Sequence, residues 1–149
     1  MMRKARIGDI KVIQNLINCF AKQDLMLPRS LNELYENLRD FWVAEENGRV
    51  IGCCALHVSW DDLSEIKSLA VQKNRQKRGV GKTLVNACIN EARELGSQRV
   101  FVLTYKSAYF KHFGFKKVKH SDLPHKIWAE CINCCKFPNC QEIALVKKL

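Results

Sequence analysis

Ser64-Glu-Ile-Lys-Ser-Leu-Ala-Val-Gln72, then Lys73-Asn-Arg-Gln-Lys-Arg-Gly-Val-Gly-Lys82, then Thr83-Leu-Val-Asn-Ala-Cys-Ile-Asn-Glu-Ala-Arg-Glu-Leu95 is the stretch whose reading decides the fold. Its first part reads as a strand, with Ile66, Leu69 and Val71 as the apolar residues. Its last part carries Leu84, Val85, Cys88, Ile89, Ala92 and Leu95 at helix spacing. Between them lies a short basic loop with Gly79 and Gly81. Strand, loop and helix in this order make an anion site. The loop aims backbone N–H groups at one place, and the helix N-terminus adds its positive end. Lys77, Arg78 and Lys82 add charge that suits a pyrophosphate. A Walker loop needs glycine where Gln76 stands, and a Rossmann turn needs a third glycine where Leu84 stands. Both nucleotide readings fail at a named residue.

The chain has 149 residues, which predicts a single domain over 1–149 with a core of its own. Apolar content of 47% and charged content of 27% are ordinary for a soluble globule. No apolar run approaches roughly 18 residues, and the start shows no secretory h-region, so the reading is cytoplasmic with no membrane partner. Net charge is +10. The basic residues are spread along the chain, not set in one block with interleaved aromatics. That favours an anionic small molecule over nucleic acid. Eight cysteines without an export signal point to a reducing compartment. Cys19, Cys53, Cys54 and Cys88 read as small buried hydrophobes.

Outward from the central stretch, residues 3–7 predict a strand, and Asp9 predicts an N-cap for a helix over 10–22. Ser30-Leu-Asn-Glu33 is a capping box that opens a short helix. Residues 41–45 and 50–58 predict strands joined at Asn47-Gly48, a strong hairpin signal. Gly96 ends the central helix. Strands follow over 99–104, 115–119 and 142–147, with short helices over 107–114 and 123–128. The fold class is α/β (α+β): a mixed, mostly antiparallel sheet of six to seven strands flanked by about four helices.

Gln76-Lys-Arg-Gly-Val-Gly81, after Leu69-Ala-Val71, resembles motif A of the Gcn5-related N-acetyltransferases (GNAT), which read [QR]-x-x-G-x-[GA]. The resemblance implies the GNAT fold over essentially the whole chain. It implies acetyl-coenzyme A as co-substrate, with the pyrophosphate on the amides of Gln76, Lys77, Arg78, Gly79, Val80, Gly81 and Lys82. It also implies pantetheine against the backbone of Leu69, Ala70 and Val71, in a V between the fourth and fifth strands.

Four patches together resemble the acetyltransferase domains of the N-acetylglutamate synthases, amino-acid N-acetyltransferases of arginine biosynthesis. They are Leu27-Pro-Arg29-Ser30; Glu65-Ile-Lys-Ser-Leu-Ala-Val71; Glu91-Ala-Arg-Glu-Leu-Gly96 with Phe101-Val-Leu-Thr104; and Asp122-Leu-Pro124 with Leu145-Val-Lys-Lys-Leu149. The expectation is a short, stand-alone form without the kinase domain, with a homodimer allowed. A carboxylate near the amine can accept its proton, and the resemblance puts Glu65 in that role and the backbone of Ser68 beside it. It assigns Arg29 to a substrate carboxylate, with the backbone of Leu27 contributing; a guanidinium fork is apt there. Thr104 matches the position of a hydroxyl for the leaving thiolate. Tyr105 and Tyr109 are the runners-up; Phe110 stands where many acetyltransferases keep tyrosine, and Tyr109 is expected about 100° away from it on the helix. The synthases' two C-terminal pocket residues, an Arg and a Ser, fall on Cys140 and Glu142, so half the pocket is changed. Lys106 or Lys126 are the replacement cations to consider.

Cys131, Cys134, Cys135 and Cys140 have one C-x-x-C spacing with a further cysteine six on. Zinc with His125 or Cys135 as fourth ligand, packed free thiols and one disulfide stay open, and no metal is assigned. His57, His112 and His120 read as surface or strand histidines. Two functions remain: an acetyltransferase for glutamate or, alternatively, for another small-molecule or protein amine; and a basic adaptor whose coenzyme pocket is structural.

Overall fold

The computed structural model describes residues 1–124 and 142–149. The expected cysteine cluster, His125, Lys126 and most of the helix over 123–128 lie outside these residues.

Seven strands form one sheet in the order β1-β2-β3-β4-β5-β7-β6. They are β1 (Met2–Lys4), β2 (Phe41–Glu46), β3 (Arg49–Trp60), β4 (Leu63–Val71), β5 (Arg99–Thr104), β6 (Lys116–Val118) and β7 (Ile143–Lys148). Among the described residues four α-helices accompany them: α1 (Ile10–Ala21), α2 (Leu31–Glu36), α3 (Val80–Leu95) and α4 (Ser107–Lys111). The β4–β5 pair is parallel and the other neighbouring pairs are antiparallel, which is the mixed sheet that the sequence predicts.

Each face of the sheet is covered because the helices present apolar stripes to it. Ile10, Ile13, Leu16, Ile17 and Phe20 of α1 pack with Leu34 of α2 on Val43, Cys53, Ala55 and Ala70. Leu84, Val85, Cys88, Ile89 and Ala92 of α3 pack on the other face, against Cys54, Leu56, Ile66 and Val100. Gly52 permits this approach, since a Cβ there would meet Leu84 Cδ1 at 3.1 Å and the carbonyl of Ala70 at 3.3 Å. Cys19, by contrast, is exposed and not buried as expected. It falls outside the buried α1 stripe of 13, 16, 17 and 20.

Local chemistry explains where the elements start and stop. Asn47 and Gly48 both have positive φ, 51° and 76°, as a two-residue hairpin turn demands. Ser30 accepts the N–H of Glu33 and caps α2. The Glu33 carboxylate departs from the capping box and takes the Arg29 guanidinium instead. The first strand ends earlier than predicted, at Lys4, with a 3-10 turn over Ile7–Asp9. The cause is Asp9. It precedes α1 as expected, but its carboxylate accepts the N–H of Arg6 and both Nη groups of Arg3, and it makes no cap to α1.

The site is positioned by a divergence. β4 and β5 pair only from Leu63↔Arg99 to Glu65↔Phe101. Beyond Glu65 the β5-facing edge of β4 has no strand partner among the described residues. β5 continues beside β7 as far as Thr104↔Ile143.

Candidate active site

β4 carries a bulge. Cys53 pairs with Ala70 and Ala55 with Lys67, so Ser68 and Leu69 together oppose Cys54. Ser68 adopts φ +58° although it is not glycine. Such a conformation costs of order 1–2 kcal/mol, and strain of this kind gathers at functional sites. At the bulge the polar Ser68 is buried, and the apolar Leu69 is only half-buried.

The splayed edge opens a cleft of about 1110 Å³. Leu27, Arg29, Glu65, Ser68, Leu69, Ala70, Val71, Gln76, Lys77, Gly79, Gly81, Lys82 and Thr104 all line it. Residues far apart in sequence thus meet on one surface. Arg78 and Val80 do not line it; Arg78 is exposed, and Val80 packs on the core below α3.

One end of the cleft combines backbone donors with positive charge. Lys77 and Gly79 both take left-handed backbone, φ 63° and 82°. Gly79 precedes α3, which has no side-chain cap and no acidic residue in its first turn. The first amides of a helix lack intrahelical acceptors, so an uncapped N-terminus flanked by Lys77 and Lys82 presents N–H donors and positive charge together. Gln76 does different work. Its Nε2 donates to the carbonyl of Val71 at 3.0 Å and closes the loop onto the end of β4. A Cβ on Gly81 would lie 2.8 Å from the Tyr109 hydroxyl.

The middle of the cleft is the open edge of β4. An extended chain can hydrogen-bond to such an edge as an added strand would. The uncapped helix end and the bare strand edge therefore fit a ligand with a pyrophosphate and an amide-bearing arm.

The other end holds the ionisable groups. Glu65 is 8% exposed, so its carboxyl is a buried group and not a solvated strand end. Arg29 donates through Nη1 to Glu33 at 2.9 Å, while its Nε is buried with no hydrogen-bond partner among the described residues. Thr104 Oγ1 accepts the N–H of Lys106 at 2.9 Å, and its own hydrogen can still be donated. Lys106 and Glu142 also line the cleft.

Tyr109 has two sets of neighbours. Its ring packs on Phe110 and Phe113, with both centroid distances 5.3 Å, yet the residue also lines the cleft beside Gly81. Burial raises the affinity of its hydroxyl for the proton. His57 also exceeds its reading as a strand histidine: it lines the cleft and sits 2.6 Å from Asp40. The signal was faint, since Asp40 and His57 are 17 residues apart.

The acetyltransferase (GNAT) family model matches residues 10–115. This chain belongs to the GNAT family. An uncharacterised N-acetyltransferase of Chlorobaculum tepidum is 41% identical over 148 residues, 99% of this chain and 96% of its own length. An amino-acid acetyltransferase of Mycobacterium tuberculosis is 37% identical over 133 residues, 87% of this chain and 76% of its own. Among solved structures, Rv2747 from Mycobacterium tuberculosis, in complex with CoA and NLQ, superposes with TM-score 0.88 at 32% identity. That match covers 100% of this chain and 99% of Rv2747. N-acetylglutamate synthase from Neisseria gonorrhoeae, complexed with coenzyme A and N-acetyl-glutamate, gives TM-score 0.89 at 29% identity. It covers 100% of this chain but 35% of the synthase. As a GNAT acyltransferase this protein is an acetyl-CoA-dependent N-acetyltransferase. The adaptor reading is set aside.

Proposed function

We propose that this GNAT enzyme acetylates the α-amino group of an anionic amino acid, with L-glutamate first among acceptors, as in the first step of arginine biosynthesis. One observation carries the reading: Arg29, whose buried Nε has no partner among the described residues, lines the same cleft as the buried carboxylate of Glu65. An unmade hydrogen bond on a buried guanidinium is costly, and a substrate carboxylate supplies the acceptor. The synthase and amino-acid acetyltransferase relatives support the same choice.

In this mechanism Arg29 and the backbone of Leu27 hold the acceptor by its carboxylate. Glu65 accepts a proton from the α-ammonium, and the backbone of Ser68 orients the amine. The α3 N-terminus, from Gln76 to Lys82, holds the coenzyme pyrophosphate, and the open edge of Leu69, Ala70 and Val71 holds its pantetheine arm. The bound co-substrate supplies the acetyl thioester. Thr104 donates its hydroxyl hydrogen toward the leaving sulfur, with Tyr109 the second candidate for that role. The buried thiols Cys53, Cys54 and Cys88 suit a reducing cytoplasm.

A turnover screen with acetyl-CoA against the twenty amino acids tests the proposal. Glutamate should give the highest kcat/KM. The ion pair of Arg29 with Glu33 favours a second reading, another small-molecule or protein amine, because it neutralises part of the cation. A polyamine or a protein lysine outrunning every amino acid would replace the first reading with the second.

A further inference from the structure

A base that takes the ammonium proton must pass it on before the next turnover. Glu65 is 8% exposed and deep in the cleft. Directly opposite it in the antiparallel β3–β4 ladder stands His57. Directly opposed residues project on the same face, with Cβ atoms about 4.5–5.5 Å apart, and both of these line the cleft. The other ionisable groups on its walls include Arg29, Glu33, Lys67, Lys106, His120 and Glu142, but Glu65 is the one in register with His57.

The imidazole is held from behind. Asp40, which ends the 3-10 turn Leu38–Asp40, places Oδ2 at 2.6 Å from His57 Nδ1. A carboxylate only accepts, so Nδ1 carries the hydrogen and donates it, and Nε2 is the atom that takes up a proton. Asp40 then stabilises the imidazolium. The His57 side chain is 29% exposed and that of Asp40 24%, whereas Glu65 is buried.

We infer that His57 is a positioning residue that relays the proton from Glu65 to solvent, with Asp40 fixing its ring. The inference rests on Glu65 being the base. The protons balance. The ammonium gives its first proton to Glu65, and the amine forms the C–N bond as the C–S bond breaks. A second nitrogen proton ends on the coenzyme sulfur. The first passes from Glu65 to His57 Nε2 and then to water, so one proton is released per acetyl group transferred and nothing is oxidised.

The test compares His57→Gln and Glu65→Gln in the whole enzyme, with acetyl-CoA and the best acceptor from the screen. His57→Gln should lower kcat by roughly tenfold, a fraction of what a positioned base contributes, with both KM values within about twofold. Added imidazole should restore most of the rate to His57→Gln and none to Glu65→Gln. Unchanged kcat in His57→Gln beside an inactive Glu65→Gln sinks the relay and leaves the base. A slow His57→Gln that imidazole does not restore also sinks it, because the ring would then be packing alone. An active Glu65→Gln removes base and relay together. Asp40→Asn keeps the imidazole and serves if His57→Gln does not fold: kcat should drop with KM unchanged, and an unchanged kcat overturns the relay.

Discussion

Glu65 is a buried carboxylate whose cost is repaid only by chemistry or by a close partner, and the cleft offers both. Glu65→Gln keeps the shape and removes the proton acceptor. We expect kcat to fall by about 10²–10⁴ with coenzyme affinity nearly intact. The acidic limb of the pH–rate profile should vanish in the same variant; a profile that keeps it assigns that limb to another group. Arg29 buries an Nε that has no hydrogen-bond partner among the described residues. Arg29→Ala should raise KM for glutamate far more than for acetyl-CoA. A charge-assisted contact of this kind is worth roughly 2–3 kcal/mol, or about 30- to 150-fold in kcat/KM. Lys should rescue only in part, lacking the planar fork. Steady-state kinetics with each substrate varied in turn decides it, and glutamate kinetics that ignore the change would end the glutamate assignment while leaving the GNAT family untouched.

At the scale of elements, the α3 N-terminus and the β4 edge act as one device. The helix begins without a side-chain cap because Gly79 occupies the capping position, and an anion can satisfy the amides instead. Gly81→Arg puts a side chain where a Cβ alone already lies 2.8 Å from the Tyr109 hydroxyl. Titration calorimetry should find coenzyme binding abolished, while circular dichroism finds the helices intact, since the clash falls on the far end of one side chain. Unchanged affinity would show that the loop from Gln76 to Gly81 is not the pyrophosphate site. The N-cap at Ser30 and the hairpin at Asn47-Gly48 were legible because their signals are local hydrogen bonds and local dihedrals. The end of β1 was not, because Arg3, Asp9 and Glu45 decide it together across 42 residues.

That same cluster sets an acid limit for the whole molecule. Asp9 is held below its ordinary carboxylate range, first by its hydrogen bonds from Arg3, against the opposing cost of burial. Its folded pKa is therefore the lower one. The stabilisation is complete above the unfolded value of 3.8 and is lost as pH falls through the folded one. Asp9→Asn should cost roughly 1–3 kcal/mol at neutral pH. The gap between the two proteins should narrow as pH drops below about 4. Urea melts at several pH values measure it; a gap constant down to strongly acid pH would show that the Arg3–Asp9 pair contributes nothing through charge.

The order of the described strands and helices and the family were readable from the chain alone. Period and capping are short-range features, and the glycine-bearing basic loop is six consecutive residues, Gln76 to Gly81. Tertiary structure alone decided what the cleft contains. Sequence spacing does not tell that β4 bulges at Ser68, that Tyr109 reaches Gly81, or that Asp40 meets His57 opposite Glu65. Those contacts depend on strand register and on where two strands part. A bulge shifts the phase of every later side chain, and only the packed sheet fixes where it falls.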